Sequence, residues 1–408
     1  MQPNLPMSRN VDILNQAYTL DNLTFPNRLV IQPMEGADGT LDGAPDELAI
    51  RRYDRFAKSG AGLLWFEAVA VRHDGRANPR QLWMHDKNVD EFKRLVARIR
   101  ENAQKEGNPN PVIIIQATHS GRYSKPNGGT FEPMIAYNNP VYEGENPLPP
   151  ERIISDDNLR EIEECYAVIT RLAMDCGFDG IDVKACHRYI NSELFAAHTR
   201  PGPYGGSLEN RMRFFKNATA NARAAAKPGF LVTSRINIYD GIPFPYGFGV
   251  NAESGLTPDL FEPIELIKTM GFKLINITMG NPYFNPHVNR PTDIEGVERM
   301  YTLTKEVKQA VPDIAIVASA PTYLQADSTY LAAGAVEEGY ADMVGFGRLA
   351  FAYPEFARDI IKDKFDKTQA CITCAKCSEL MRGGSRAGCV VRDKVYTDLY
   401  QQMRGQIK

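Results

Sequence analysis

The segment DVKACHRYI concentrates proton and hydrogen-bond donors directly after an apolar run in the middle of the chain. It contains Lys184, His187 and Tyr189. A phenol has an ordinary pKa near ~10, so it is protonated at neutral pH and can serve as a general acid. An ammonium group and a neutral imidazole can both bind the oxygen of a carbonyl or carboxylate group. These residue types indicate a site that binds an oxygen substituent and delivers a proton beside it.

A second cluster lies near the end of the chain, which holds four of the seven cysteines. Cys371, Cys374, Cys377 and Cys389 have the spacing C-x2-C-x2-C-x11-C. An odd number of cysteines without a signal peptide argues against a disulfide framework and favours metal binding. Three closely spaced thiolates suit an iron–sulfur cluster, whereas zinc sites more often use two separated pairs. The spacing therefore favours iron–sulfur, with zinc and free thiols as alternatives.

Composition restricts the class of protein. The 408 residues carry a net charge of -3, which gives no reason to expect nucleic acid or an anionic membrane as a partner. The first residues, MQPNLPMSRN, lack the apolar core of a signal peptide, and no apolar run approaches the ~18 residues of a membrane span. The sequence thus predicts a cytoplasmic globular protein with one large barrel or two ordinary domains.

Eight short apolar runs alternate with longer amphipathic stretches, which predicts a parallel sheet covered by helices on both faces. One stretch begins at Ser155 and stops before Gly177, as capped helices do. Eight such units predict a (β/α)8 TIM barrel over residues 1–365, followed over residues 366–408 by the cysteine cluster and a helix. The alternative, a doubly wound dinucleotide-binding sheet, lacks a G-x-G-x-x-G motif between a strand and a helix. The eight runs are RLVIQPM, AGLLWFEAVAV, PVIIIQA, FDGIDVKA, FLVTSRINI, KLINITMG, IAIVASA and ADMVGFGR.

In a TIM barrel the chemistry is expected where the strands end. The last two runs end in small residues, ASA and GFGR, which let backbone N–H groups approach an anion, and Arg348 adds a positive charge. Barrels commonly bind phosphate at this place, so a phosphate-bearing cofactor is predicted. Two longer inserts, at residues 121–150 and 239–258, also follow strand ends, where barrel loops build active sites.

The chain resembles the old yellow enzyme family of FMN-dependent ene-reductases over nearly all of residues 22–357. The segment TRPGPYGGSLENRMRF is similar to the family signature R-x-D-x-Y-G-G-S-L-E-N-R-x-R-F, with Gly202 where an aspartate is usual. GFDGIDVKACHRY resembles G-F-D-G-V-E-I-H-x-A-H-G-Y, and the first three runs resemble the first three strands of the family.

The resemblance implies the positions that bind FMN. Gln116 would pair with the pyrimidine edge of the flavin, and Arg235 would lie beside flavin N1, where negative charge collects on reduction. Glu35 stands where relatives have a small residue that tunes the flavin. The other implied positions are Pro33, Met34 and Ala68 along the ring, and Ser319, Ala320, Gly347 and Arg348 at the phosphate.

The resemblance also implies a reaction. Hydride passes from flavin N5 to the β-carbon of an activated alkene, and Tyr189 protonates the α-carbon. His187 and Lys184 occupy the positions that bind the substrate carbonyl, where the family usually has His and His or His and Asn. The fixed charge of Lys184 predicts a carboxylate or another strongly polar acceptor. A salt bridge between Lys184 and Glu35 is the alternative interpretation and does not exclude this role.

The cysteine spacing resembles the 4Fe–4S site of the branch containing 2,4-dienoyl-CoA reductase and trimethylamine dehydrogenase. There the cluster relays electrons, and the chains continue into a dinucleotide-binding half, whereas one helix follows here. The electron source is then either NAD(P)H directly or a ferredoxin or flavoprotein partner, and an oxygen-sensitive cluster suggests an anaerobic setting.

A small unsaturated molecule is the expected substrate, and a homo-oligomer is compatible with the sequence. The competing functions are a dehydrogenase or demethylase of the trimethylamine dehydrogenase type and an electron-transfer flavoprotein subunit. The loop at residues 280–291, with Tyr283, Phe284 and His287, is expected to cover the pocket.

Overall fold

The structure is a computed structural model that describes residues 4–129 and 132–405. Its strands are β1 (Tyr18–Leu20), β2 (Leu23–Phe25), β3 (Leu29–Ile31), β4 (Leu63–Ala70), β5 (Val112–Thr118), β6 (Gly180–Val183), β7 (Leu231–Asn237), β8 (Leu274–Thr278), β9 (Ala315–Ser319) and β10 (Met343–Phe346). Its helices are α1 (Glu47–Ala57), α2 (Val89–Lys105), α3 (Pro140–Glu143), α4 (Asp156–Cys176), α5 (Ile190–Phe195), α6 (Leu208–Ala225), α7 (Phe261–Thr269), α8 (Pro286–Asn289), α9 (Ile294–Ala310), α10 (Ser328–Glu337), α11 (Arg348–Ala352), α12 (Phe356–Ile361), α13 (Lys376–Arg382) and α14 (Lys394–Met403). Short 3₁₀ helices lie at Val11–Asn15, His73–Gly75, Gly121–Tyr123, Pro150–Arg152, Thr322–Asp327 and Lys367–Gln369.

Strands β3 to β10 are parallel and close into a barrel in chain order, with β10 paired to both β3 and β9. Each of the eight predicted apolar runs supplies one of these strands, so the predicted TIM barrel is confirmed. The helix caps are also confirmed. Ser155 Oγ accepts a hydrogen bond from the Asn158 N–H at the start of α4, and Gly177 ends that helix with φ of 87°. Glycine adopts this left-handed conformation without steric cost.

The two ends of the barrel differ. At the amino end, the antiparallel hairpin β1–β2 packs against interior side chains such as Trp65 and Ile114, in one cluster with Phe25. This hairpin was not foreseen from the sequence. It closes the amino end with apolar side chains, which leaves the carboxyl ends of the strands as the open end of the barrel.

The segment after α12 is tied to the barrel by polar contacts. The buried Asp393 carboxylate accepts hydrogen bonds from Arg51 and Arg55 of α1. The Ala387 N–H donates to the Gly36 carbonyl at 2.7 Å, and Arg290 donates to Ser378 Oγ at 2.6 Å. These contacts hold the cysteine segment against the open end of the barrel. Over the described residues, no helix combines the length and apolarity that crossing a membrane requires.

Candidate active site

The turn after β6 has an unusual backbone. His187 and Arg188 have φ of 66° and 59°, although neither is a glycine. Left-handed conformations cost energy in such residues and persist where the surroundings fix them. The buried Arg188 guanidinium provides such an anchor, because it lies 3.1 Å from the Asp240 carboxylate and donates to the Tyr246 carbonyl. The turn thereby directs the side chains of His187 and Tyr189 toward the open end of the barrel.

Lys184, His187 and Tyr189 line one cavity of about 800 Å³, which we call the inner cavity. Its lining also includes every position predicted to lie along the flavin ring except Arg235, namely Pro33, Met34, Glu35, Ala68 and Gln116. The structure therefore brings the predicted catalytic residues and the predicted ring-binding residues into one space.

A second cavity of about 690 Å³ adjoins the inner cavity, and we call it the arginine cavity. Pro33, Met34, His187 and Arg290 are among the residues that line both. The arginine cavity contains the remaining predicted cofactor positions, Arg235, Ser319, Ala320, Gly347 and Arg348. The predicted ring and phosphate positions thus lie in two adjoining cavities.

The arginine cavity suits an anionic ligand. Arg235 is 8% exposed, and burial lowers its pKa. Among the described residues, no carboxylate lies within ion-pair distance of Arg235, and its Nε has no hydrogen-bond partner. A buried cation without a counterion is costly, so a bound anion would stabilise it. At Gly347 a Cβ atom would meet Met34 Sδ at 2.9 Å, so glycine keeps the cavity wall tight. These residues fit FMN.

Asp182 organises the floor of the site. Its carboxylate accepts hydrogen bonds from Trp65 Nε1 at 2.8 Å, Gln116 Nε2 at 2.6 Å and the Arg235 backbone N–H at 2.7 Å. Burial raises the pKa of Asp182 to about 6, while the hydrogen bond from Gln116 favours the ionised form. Asp182 therefore fixes the Gln116 amide and leaves its oxygen available to a ligand.

Replacing Asp182 with asparagine is expected to weaken FMN binding about tenfold, because the amide nitrogen must face one of these three donors. The FMN dissociation constant, measured by flavin fluorescence, checks this. Asp179→Asn is the matched control, since Asp179 accepts the Ile113 N–H at the opposite end of the strands. Equal FMN affinities in the two variants would contradict the role of Asp182.

Lys184 is a buried cation beside the Tyr189 phenol. Its Nζ lies 3.9 Å from the centroid of the Tyr189 ring, and burial lowers its pKa. Within residues 4–129 and 132–405, no carboxylate lies within 4 Å of this ammonium group. Glu35 instead accepts a hydrogen bond from Asn78 at 2.6 Å, and the salt bridge between Glu35 and Lys184, the alternative interpretation, is not formed. The ammonium group remains available to a substrate.

At neutral pH, the His187 imidazole is neutral and the Tyr189 phenol is protonated. Burial, together with the charges of Lys184 and Arg235, holds the pKa of His187 well below its ordinary value, so its imidazole is neutral. Burial raises the pKa of Tyr189 well above its ordinary value, which keeps the phenol protonated. The hydroxyl groups of Tyr189 and Tyr283 lie 2.9 Å apart, and Tyr283 stacks on Tyr123 with ring centroids 4.1 Å apart.

The four clustered cysteines line a third cavity of about 370 Å³. Burial raises the pKa of Cys371 and Cys389, and the nearby Cys377 thiol raises both further. In the described chain, no three His, Cys, Asp or Glu side chains are arranged to hold a metal ion. Arg348, Phe351 and Cys377 line both this cysteine cavity and the inner cavity. The cysteine cavity therefore directly adjoins the candidate active site.

Sequence reasoning missed several wall residues. Arg290 lines the inner and arginine cavities, and Ser378, Met381 and Ala387 bring the cysteine segment into the inner cavity. No local pattern signals these residues, because their position depends on how the segment docks on the barrel.

In the loop at residues 280–291, Tyr283 lines the inner cavity as expected. The lining of that cavity does not include Phe284 or His287, and Phe284 packs against Tyr142 with ring centroids 4.8 Å apart.

A barrel whose open end combines two adjoining cavities, a buried arginine without a counterion and a buried phenol defines a class of enzymes that bind a phosphate-bearing redox cofactor. Comparison of the sequence with known protein families supports the same class. The model of the NADH:flavin oxidoreductase / NADH oxidase family matches residues 14–367, and the chain belongs to this family, the old yellow enzyme family. The protein is therefore a flavin-dependent oxidoreductase with FMN as its cofactor.

Individual relatives are distant. A probable N-methylproline demethylase of Rhizobium meliloti is 26% identical over 93% of this chain and 53% of its own length. The structure of 2-naphthoyl-CoA reductase, in complex with 2-naphthoyl-CoA, superposes with a TM-score of 0.78 at 19% identity, over 96% of this chain and 58% of that one. The old yellow enzyme homologue from Zymomonas mobilis gives a TM-score of 0.64 at 20% identity, over 86% of this chain and 92% of that one. The chain thus spans little more than half the length of the first two.

Proposed function

We propose that this protein is an ene-reductase that reduces the C=C bond of an α,β-unsaturated carbonyl or carboxylate compound. The observation that carries the proposal is the convergence of Lys184, His187 and Tyr189 on the inner cavity, beside the positions predicted to bind the flavin ring. An oxygen-binding pair and a protonated phenol are the groups that this reduction requires. Bound FMN supplies the hydride, and NAD(P)H is the proposed donor of electrons to the flavin.

The substrate oxygen is bound by the Lys184 ammonium and the neutral His187 imidazole, which draw electron density from the alkene and leave its β-carbon electron-poor. Tyr189 donates its hydroxyl proton to the α-carbon. The phenolate that forms lies beside the Lys184 ammonium, whose charge stabilises it. The Tyr283 hydroxyl, 2.9 Å away, donates a hydrogen bond to the same oxygen.

Oxidation of an amine is the competing function, because one relative is named as a demethylase. The charge of the site disfavours it. Lys184 and Arg235 are buried cations near the substrate space, and an ammonium substrate would be repelled by both. A carboxylate substrate is attracted by the same field.

The decisive test is anaerobic reoxidation of the reduced protein by a panel of enones, enoates and enoyl thioesters, followed by stopped-flow absorbance. Reoxidation with formation of the saturated product is expected, fastest for carboxylates. If the reduced flavin is stable toward the whole panel while secondary and tertiary amines reduce the oxidised form, the amine oxidation function is correct instead.

The cysteine cavity is proposed to hold a 4Fe–4S cluster through Cys371, Cys374, Cys377 and Cys389. A bound cluster supplies one-electron transfer, and its position against the inner cavity suits exchange with the flavin or with a ferredoxin or flavoprotein partner. Four cysteines that line one cavity can supply the four thiolate ligands of such a cluster.

Cys377→Ser is expected to abolish the bound iron and acid-labile sulfide of protein purified without oxygen, because one of the four thiolate ligands is lost. Elemental analysis and absorbance spectra check this. Cys165→Ser, at a half-buried cysteine elsewhere in the chain, serves as the control and keeps the wild-type iron content. Stoichiometric zinc without iron in the wild-type protein would refute the cluster.

Alkene reduction is expected to be independent of pH between about pH 7 and pH 9.5. The raised pKa of Tyr189 keeps the acid protonated above its ordinary range, and the lowered pKa of His187 keeps that ring neutral from below pH 7. A saturating carboxylate substrate preserves the Lys184 ammonium, because an opposite charge raises its pKa. Single-turnover rates across this range check the expectation, and a decline centred near pH 8 would contradict it.

A further inference from the structure

An outer cavity of about 1180 Å³ lies next to the inner cavity. Glu35, Tyr283 and Met381 line both spaces. The two cavities are therefore neighbours with a shared wall of three side chains. No residue of the outer cavity outside this wall takes part in the chemistry described above.

The inner cavity is small for a large substrate. Ala68 and Gln116, on its floor, are positions where the flavin ring would lie, so the cofactor takes part of its volume of about 800 Å³. The remaining space suits the reacting head of a substrate, and a longer molecule can continue past Tyr283 and Met381 into the outer cavity.

The lining of the outer cavity combines apolar and cationic groups. Leu41, Pro79 and Met381 provide apolar surface, and Leu41 is 70% exposed. The lining includes three cations, Arg80, Lys125 and Arg382. Glu35 is the one carboxylate among the described lining residues, and burial raises its pKa. Such a surface favours a flexible apolar chain with a negative charge at its end.

Arg382 is the cation best placed for such a charge. Its guanidinium donates one hydrogen bond to the Pro282 carbonyl at 2.7 Å, and no carboxylate of the described chain lies within ion-pair distance. Arg80 lies 3.4 Å from Asp46 on the surface, where such pairs contribute little. A guanidinium group binds a carboxylate or a phosphate through parallel hydrogen bonds.

We propose that the outer cavity binds the anionic tail of an elongated α,β-unsaturated carboxylic acid whose reacting head lies in the inner cavity. The proposal rests on the proposed function for the identity of the head. The apolar chain between the head and the terminal anion lies along Leu41, Pro79 and Met381. The terminal carboxylate or phosphate binds Arg382 and Arg80. The substrate then has two acidic ends, one at Lys184 and one at Arg382.

The test compares two acids of equal length, trans-2-dodecenedioic acid and trans-2-dodecenoic acid, with the FMN-loaded protein. The first has a terminal carboxylate and the second a methyl group. Wild-type kcat/KM is expected to be at least tenfold higher for the diacid. Arg382→Gln is expected to reduce this ratio about tenfold, and the exposed Lys394→Gln, with the same change in charge, to leave it unchanged. An analogue ending in phosphate, assayed beside the diacid, identifies the preferred anion.

Met381→Trp, which narrows the shared wall, is expected to lower the ratio of kcat/KM for the diacid over crotonic acid at least tenfold, and Met381→Leu to preserve it. Calorimetric binding of saturated dodecanedioic acid gives a readout that needs no turnover. Weaker binding in Arg382→Gln supports the proposal even if no alkene is reduced, an outcome that would refute the proposed function alone. Equal wild-type use of the two acids, or equal diacid affinity in wild type and Arg382→Gln, overturns the proposal.

Discussion

Tyr189→Phe is expected to slow alkene-dependent reoxidation of the reduced flavin by about 10²–10³-fold, within the usual range for loss of a general acid. The ring fills the same space, so the contact with the Lys184 ammonium is kept and only the proton is lost. Reduction of the flavin by NAD(P)H should be nearly unchanged, because that step does not use the Tyr189 proton. Stopped-flow measurement of the two half-reactions separates these effects.

Tyr142→Phe is the control for this variant, since its ring packs nearby on Phe284 without lining the inner cavity. The Tyr283 hydroxyl is the nearest replacement donor, so activity that survives in Tyr189→Phe should fall further when Tyr283→Phe is added. A Tyr189→Phe enzyme that reduces enoates within fivefold of the wild-type rate would show that another group delivers the proton.

Lys184→Met is expected to lower kcat/KM for an enoate by about 10²-fold, since a hydrogen bond to a charged group contributes roughly 1.5–3 kcal/mol. Methionine has nearly the same length and fills nearly the same space, so FMN content should stay within twofold of the wild-type value. The loss should be smaller for a neutral enone of the same carbon skeleton, because the ammonium charge attracts the carboxylate.

Lys184→His is a second test of the role of position 184. It restores the pair of histidines that is usual in the family and is expected to shift preference from enoates toward enones. Steady-state kinetics of the three proteins on a matched enone and enoate measure this shift. Unchanged kinetics for both substrates in Lys184→Met would remove Lys184 from substrate binding.

Much of this site could be predicted from the sequence because strand ends in a parallel barrel share one face. The residues at the ends of β5, β6, β7 and β9 converge for that reason, and apolar runs are sufficient to locate the strands. The left-handed turn at His187 and Arg188 has no such local cause. It depends on a buried arginine that reaches Asp240, and a contact over that sequence distance is invisible to periodicity.

The wall contributed by the cysteine segment could not be predicted for a similar reason. Its docking depends on hydrogen bonds between Asp393 and two arginines of α1, which lie nearly the whole chain away in sequence.

The departure from the family signature at Gly202 has a physical explanation that could not be read from the sequence either. A Cβ atom at Gly202 would lie 3.0 Å from Asp156 Oδ2, and Arg200 donates to that same carboxylate. A carboxylate from the start of α4 therefore occupies the space beside position 202.

Helix α13 constrains how substrate range can change. Its seven residues carry Cys377, which lines the cysteine cavity, and Met381 one turn later, which lines both the inner and outer cavities. Lengthening, shortening or rotating this helix to fit a new substrate would displace the cysteine as well. Engineering of substrate range is therefore better directed at the loop carrying Tyr283, which contributes no cysteine and borders the same space.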